Sequence, residues 1–136
     1  MRFMMLLPAP VEVLEHVGSS PSVELVLAMH KYNDDMKKAG ALLAAEGLHP
    51  TSMGTRIRVV GGKKVVTDGP FTEAKEVIAG FWMIQVKSKE EALEWANRCP
   101  LPEQGLIEIR QIFENCEFPP ELQEKQVEAY SGPAKV

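Results

Sequence analysis

Apolar residues recur along this 136-residue chain either at helical spacing or at every second position. The first pattern predicts helices and the second predicts strands. A helical spacing of apolar positions runs from Val23 to Met36, with charged residues on the opposite face. Ser20 followed by Pro21 has the form of an N-cap with proline at the first helical position. Gly40 stands where helices commonly end. The pattern therefore predicts a helix from about Val23 to just before Gly40.

A second helical segment begins near Ser88. Ser88 and Glu91 have the spacing of a capping box, and Ala92 and Trp95 supply an apolar inner face. This helix is expected to end at Cys99, because the residue before a proline disfavours helical geometry. A further helix is predicted over residues 120–130.

Short runs of apolar or alternating residues predict the strands. They span residues 2–7, 42–46, 56–60, 63–67, 77–86 and 106–112. Two of these runs are separated by Gly61 and Gly62 alone, which is typical of a β-hairpin. The run from Val77 to Val86 is apolar on both faces and is therefore predicted to be a central strand.

The order of these elements predicts an α+β fold. Apart from the extra hairpin the order is β-α-β-β-α-β, the ferredoxin-like plan, in which two helices cover one face of a sheet. Because neighbouring strand residues point to opposite faces, either Phe81 or Trp82 must lie on the uncovered face. A bare apolar sheet face is unfavourable in water, so a homodimer formed by two such faces is expected.

Composition and charge narrow the classes of protein and partner. With 45% hydrophobic and 25% charged residues, the chain has the values of one ordinary globular domain. A net charge of -4 with scattered Lys and Arg argues against a nucleic-acid partner. The apolar run of residues 3–7 is too short to cross a bilayer. The two cysteines, Cys99 and Cys116, match no metal-ligand spacing and favour a cytoplasmic location. We expect a domain over residues 1–113 and an acidic extension over 114–136.

The segment Asp68-Gly69-Pro70-Phe71 forces a turn directly after a strand, because Pro70 fixes its φ and lacks an N–H donor. Phe71 is expected to tuck beneath this turn. Asp68 is then a fixed carboxylate at a strand end, and we consider it as a general acid or base, or as the partner of a histidine. The alternative is a turn residue whose carboxylate caps the local backbone.

His49 is the preferred titratable partner of Asp68, since a free imidazole exchanges protons near neutral pH. If the strand ending at Glu46 neighbours the strand ending at Asp68, then Glu46, His49 and Asp68 line one cleft suited to proton transfer. The alternatives are an exposed loop histidine and an exposed strand-end glutamate. Residue spacing supports no metal site and no cofactor site.

Arg56 shares a strand face with Arg58 and is a candidate for holding an anionic substrate, or for solvating an edge hairpin. His30 lies on or beside the apolar stripe of the first helix. Together with Glu46 and Phe71, these residues are the candidates for substrate binding, while Asp68 and His49 are the candidates for catalysis.

Three segments resemble the YCII-related family, in particular its DGPF branch. They are KAGALLAAEGLHP, TDGPFTEAKEVIAGFW and SKEEALEWANRCP, within a resemblance that covers Arg2 to Phe113. The resemblance implies a dimeric α+β barrel, and it carries to His30 a catalytic role with an aspartate that has been proposed in other branches.

The resemblance leaves two kinds of function open. One is a small cofactor-independent enzyme that transfers a proton or eliminates a group on a small organic acid or ring compound. The other is a non-catalytic ligand-binding or regulatory module, since DGPF proteins are linked with extracytoplasmic-function sigma factors. A small-molecule ligand is the expected partner in either case.

Overall fold

The computed structural model describes residues 1–11 and 22–130, with residues 126–130 described by their backbone. The six strands are β1 (Arg2–Pro10), β2 (Leu42–Gly47), β3 (Thr55–Val60), β4 (Lys63–Asp68), β5 (Glu76–Gln85) and β6 (Glu108–Gln111). The three helices are α1 (Val23–Lys38), α2 (Lys89–Asn97) and α3 (Pro120–Tyr130), and two short 3-10 turns lie at Thr51–Met53 and Asn115–Glu117. Residues 12–21, which include Ser20 and Pro21, and the tail after Tyr130 fall outside the described residues.

Four strands form one antiparallel sheet in the order β2-β5-β1-β6. The central strands β1 and β5 pair with each other. Strand β2 lies beside β5, and strand β6 lies beside β1. Two split βαβ units, β1-α1-β2 and β5-α2-β6, are thereby interleaved. This confirms the ferredoxin-like α+β fold and the central position predicted for the apolar run ending near Val86.

The hairpin β3–β4 forms a separate two-stranded sheet. Its loop consists of Gly61 and Gly62, whose φ angles are +56° and +77°. A two-residue hairpin loop with positive φ at both positions is the arrangement that glycine adopts without steric cost. The predicted hairpin is therefore confirmed, with Val60 opposite Lys63 and Thr55 opposite Asp68.

The hydrophobic core lies between the helices and one face of the four-stranded sheet. Its most buried members are Phe3, Met5, Tyr32, Met36, Trp82, Ile84, Ala92 and Trp95. The Tyr32 ring makes edge contacts with Trp82 and Trp95, at centroid distances of 6.0 and 6.4 Å. Its hydroxyl donates a hydrogen bond to the Trp95 carbonyl oxygen at 2.7 Å. One buried aromatic cluster thus joins both helices to the sheet.

The first helix begins with a serine cap. Ser22 is the N-cap, and its Oγ accepts a hydrogen bond from the Leu25 backbone N–H at 3.1 Å. Ser20 and Pro21, which the sequence offered as the cap and the first helical residue, lie outside the described residues, and the described helix begins at Val23. At the other end Gly40 has a φ of +71°, as expected for a residue just beyond a helix.

The second helix begins at the predicted residue. Ser88 Oγ accepts from the Glu91 N–H at 3.2 Å, but the Glu91 carboxylate accepts from the Lys87 N–H at 2.8 Å rather than from Ser88.

The register places Trp82 against the helices and Phe81 on the uncovered sheet face. Trp82 is buried in the core, whereas Phe81 lies opposite Leu6 and is partly exposed. Met4 and Met83 are paired on the same uncovered face. We call this surface, formed by Met4, Leu6, Phe81 and Met83, the open sheet face.

Candidate functional site

The Asp68-Gly69-Pro70-Phe71 segment is built onto the turn Thr51–Met53. The Gly69 N–H donates to the Gly54 carbonyl oxygen at 2.8 Å, and the Phe71 N–H donates to Thr51 Oγ1 at 3.3 Å. A Cβ at Gly69 would collide with the Thr51 carbonyl oxygen, so this close approach requires glycine. The Gly69–Pro70 peptide bond is cis, and Phe71 is buried as expected.

Arg56 is held at the base of the hairpin. Its guanidinium carbon lies 3.9 Å from the centroid of the Phe71 ring, and its Nη1 contacts Glu73 Oε1 at 2.9 Å. The stacking and the ion pair both hold the guanidinium against the fold. The substrate-binding roles predicted for Arg56 and Phe71 remain predictions, but both side chains have structural contacts.

Asp68 is exposed at the end of β4, and its Oδ1 accepts a hydrogen bond from Thr55 Oγ1 at 3.0 Å. Thr55 is its direct cross-strand neighbour. The sequence analysis missed this contact. A two-residue loop at Gly61-Gly62 fixes the register of the hairpin, and in this register position 55 lies opposite position 68. The contact is the kind expected of a hairpin residue.

The arrangement proposed to bring Glu46 beside Asp68 is not present, because β2 pairs with β5 and β4 pairs with β3. Glu46 is exposed and lies opposite Phe81. His49 is exposed in the connection that follows β2, and His30 is exposed on α1. Catalysis by an Asp68–His49 pair therefore stays a prediction. Among the residues that the structure describes, no cluster of three His, Cys, Asp or Glu side chains could hold a metal ion.

A cleft of about 200 Å³ lies between α1 and the part of the sheet formed by β2 and β5. The described residues that line it are Leu7, Met29, Asn33, Ala45, Glu46, Gly47, Ala79, Gly80, Phe81 and Trp82. Gly47 and Gly80 are paired in the register, so two adjacent positions carry no side chain beneath the helix. A Cβ at Gly80 would approach the Glu46 carbonyl oxygen to 2.9 Å. The missing side chains of Gly47 and Gly80 therefore allow β2 and β5 to approach closely and also leave the space that forms the cleft.

Asn33 supplies the hydrogen-bonding group of this cleft. Its Oδ1 accepts from Trp82 Nε1 at 2.8 Å, which fixes the orientation of the amide. The two N–H donors on Nδ2 make no hydrogen bond within the described part of the chain and are available to a ligand. Asn33 lies at helical spacing from Met29 and Met36 on the apolar face of α1, and the sequence analysis assigned it no role. A polar residue on such a face was the signal for this site.

Glu46 is directed away from this hydrogen-bonding group. Strand alternation places its side chain with Phe81 on the open sheet face, while Ala45 and Gly47 face the helix. The helix-facing part of the described cleft lining is therefore apolar apart from the Asn33 amide and the Trp82 N–H bonded to it. Such a lining recognises an acceptor group on an otherwise apolar molecule.

The two cysteines have different surroundings. Cys99 is buried at the end of α2, and burial raises the pKa of its thiol to about 11. A thiol that stays protonated at neutral pH is a poor nucleophile, so Cys99 is a packing residue. Cys116 is exposed.

These features define a small ferredoxin-like α+β domain with a cleft between its first helix and its sheet. The profile of the YCII-related domain family matches residues 1–116, and the chain belongs to this family. It is also similar to an uncharacterised protein of Rhizobium meliloti (strain 1021), with 36% identity over 77 residues. That match covers 55% of this chain and 62% of the relative, which is less than two thirds of the relative's length. Within the described residues, no helix is long and apolar enough to span a membrane.

Proposed function

We propose that this protein binds a small, neutral ring compound in the cleft between α1 and the sheet. The observation that carries the proposal is the Trp82–Asn33 hydrogen bond, which holds the Asn33 amide with two donors toward an apolar space. The Asn33 side chain is partly exposed, and a ligand oxygen that accepts from it in the apolar cleft would form a hydrogen bond shielded from bulk water. In such sites the apolar walls usually supply most of the binding energy, and a small number of polar groups supply the selectivity.

The size and charge of the cleft select the ligand class. An apolar cavity of about 150 Å³ holds one benzene molecule, so a cleft of about 200 Å³ accommodates a single substituted ring. The ligand needs a carbonyl, ether or similar oxygen for the Asn33 amide. No charged side chain of the described residues faces this part of the cleft, so a neutral compound is favoured over an organic acid, whose charge would be costly to bury.

Binding is preferred to catalysis as the function, because Glu46 is the sole titratable residue of the described lining and is directed to the other sheet face. Proton transfer by Asp68 and His49 would require a second site. A regulatory module, including one linked to sigma-factor signalling, would begin with the same ligand-binding step. Free Cys99 and Cys116 suit a reducing compartment such as the cytoplasm.

The test is a screen of neutral, oxygen-bearing ring compounds by ligand-observed NMR, followed by calorimetry. Asn33→Asp is the decisive variant: the carboxylate still accepts from Trp82 Nε1 but offers no N–H donor. Compounds that bind through an oxygen should lose about tenfold or more in affinity, the cost of one unmade hydrogen bond.

Asn97→Asp makes the same chemical change at an exposed position on α2 and should leave affinity unchanged. If no neutral ring compound binds at millimolar concentration, or if Asn33→Asp binds the compounds as well as the wild type, the proposed site is wrong.

A second copy of the chain is the proposed protein partner, through the open sheet face. Met4, Leu6, Phe81 and Met83 lie together on this face and are partly exposed. Burying one such face against another would give the barrel-like dimer expected from the sequence.

A further inference from the structure

The hairpin β3–β4 exposes apolar side chains that the rest of the described chain does not cover. Ile57, Val59 and Val66 are 67%, 68% and 63% exposed. Among the described strands, β3 and β4 pair only with each other, and a free two-stranded hairpin is marginally stable in water. Apolar residues this exposed on a hairpin indicate a surface that is covered in the working protein.

The register divides the hairpin into two faces. Directly opposed residues share a face, so the outer hairpin face consists of Thr55, Ile57, Val59, Lys64, Val66 and Asp68. The opposite face consists of Arg56, Arg58, Val60, Lys63, Val65 and Thr67. Because Arg56 stacks on the buried Phe71 ring, the opposite face is turned toward the body of the protein at the hairpin base. The outer hairpin face is the more apolar and the more exposed of the two.

Charge is distributed along the outer hairpin face in a self-complementary way. Lys64 stands near the loop, Asp68 stands at the base, and Val66 lies midway between them on the same strand. At about 3.3 Å per residue, roughly 13 Å separates the Cα atoms of Lys64 and Asp68. Asp68 uses Oδ1 to accept from Thr55, which leaves Oδ2 for another donor.

We propose that two copies of this chain associate through their outer hairpin faces. The two-fold axis crosses the strands at the level of the Ile57–Val66 pair. This axis reverses the strand direction, so Lys64 lies over the partner's Asp68 while Val66 lies over the partner's Val66. One residue patch then serves both subunits, as a two-fold interface requires. A two-fold axis parallel to the strands would instead set Lys64 over the partner's Val59 and Asp68 over the partner's Thr55, which leaves both charges without an opposite charge.

This interface gives Asp68 a role in recognition between subunits. It does not depend on the ligand site, because the hairpin residues and the lining of the Asn33 cleft are different residues. If no ligand binds to the cleft, the hairpin interface is unaffected. If the hairpins do not associate, the proposed ligand site is unaffected.

A charge exchange tests the interface. The apparent dissociation constant of self-association is measured by sedimentation velocity over a dilution series. Every variant, and the parent chain with which it is compared, carries Met83→Glu, so that association through the open sheet face does not contribute. Lys64→Glu and Asp68→Lys should each weaken association about tenfold or more, since each sets like charges against one another. The double variant, Lys64→Glu with Asp68→Lys, restores opposite charges and should return to within about threefold of the parent chain.

Lys63→Glu is the matched control, because Lys63 is adjacent in sequence but lies on the opposite hairpin face. It should leave the dissociation constant unchanged. Unchanged association in both single variants, or a double variant no better than the single ones, overturns the proposal.

A second measurement uses the wild-type protein and so does not depend on the folding of a variant. Unlabelled and ¹⁵N-labelled chains are mixed in equal amounts, and a carbodiimide joins amines to carboxylates without a spacer. The separation of roughly 13 Å is too great for such a bond within one chain. A Lys64–Asp68 crosslink of mixed isotope content is expected, and its absence from a crosslinked sample overturns the interface.

Discussion

At the scale of single residues, the Asp68-to-Phe71 segment acts as the attachment of the hairpin. Gly69 allows the chain to lie against the Thr51 carbonyl oxygen, and Phe71 is buried beneath the Arg56 guanidinium. Asp68 alone among the four presents a charged group to solvent. A sequence signature of this kind therefore combines three structural residues with one that is free to make contacts outside the chain.

Gly69→Ala should lower the free energy of unfolding by about 2–3 kcal/mol, because the new Cβ collides with backbone rather than with a movable side chain. Urea unfolding followed by circular dichroism measures this loss. Gly47→Ala is the control, since a Cβ there meets no atom within 4 Å. Its effect should stay within about 0.5 kcal/mol. Equal stabilities of the two variants would contradict the described contact.

At the residue level, the sequence predicted features that depend on neighbouring residues, but not features that depend on the register between strands. The burial of Phe71 followed from its place after a turn. That Trp82 rather than Phe81 faces the helices depends on the pairing of β5 with β1, which no local pattern reveals. The role of Asn33 depends in turn on Trp82, which is 49 residues away in sequence.

At the scale of elements, the end of α2 packs against α1 through groups that titrate at alkaline pH. Tyr32 donates to the Trp95 carbonyl oxygen, and burial raises the pKa of its hydroxyl. Burial likewise raises the pKa of the Cys99 thiol from 9.0 to about 11. In both groups the folded state favours the protonated form, so their contribution to stability is complete at neutral pH.

Stability should therefore fall as the pH rises from about 9 toward 11, because the unfolded chain releases the Cys99 proton first. At pH 10.5 this group accounts for a loss of about 2 kcal/mol relative to pH 8. Urea unfolding under reducing conditions at the two pH values measures the loss. In Cys99→Ala the difference between the two pH values should shrink by that amount, although the variant is less stable at both.

Cys116→Ala removes the exposed thiol and should keep the wild-type pH dependence. A decline in Cys99→Ala as steep as that of the wild type would show that the buried thiol does not cause it.

Elements were the most predictable level of this structure. Helix α1 and the hairpin follow from spacing and glycines that act over a few residues. The cap of α1 at Ser22 required the backbone geometry, because the sequence analysis did not identify Ser22 as a cap. The separation of β3–β4 from the main sheet was not predictable, because hydrogen-bond partners of strands are set by tertiary packing.

At the scale of the whole molecule, the open sheet face lies on the side of the four-stranded sheet opposite to the helices, and its apolar side chains are partly exposed. The element order alone predicted this face, since two helices in a ferredoxin-like plan cover one side of the sheet. Its apolar centre of Met4, Leu6, Phe81 and Met83, flanked by Glu46, Glu108 and Arg110, could be assigned once the register was known.

Met83→Glu should halve the mass of the assembly at micromolar concentration, because burying an unpaired carboxylate between two sheets is strongly unfavourable. Sedimentation equilibrium measures the mass. Leu93→Glu places the same charge at an exposed apolar position on α2 and should leave the mass unchanged. A Met83→Glu protein of wild-type mass would show that the open sheet face is not an interface.

The strand order also governs the time at which the sheet can form during synthesis. Strand β1 is the earliest strand of the domain and lies between β5 and β6, both encoded after residue 75. A ribosome adding about 5–20 residues per second needs roughly 4–15 s to pass from Pro10 to Gln85, the end of β5. Throughout that interval β1 has no complete strand partner. The nascent chain is therefore a substrate for chaperones that hold apolar segments, and hairpin β3–β4 is the first β-structure that it can complete.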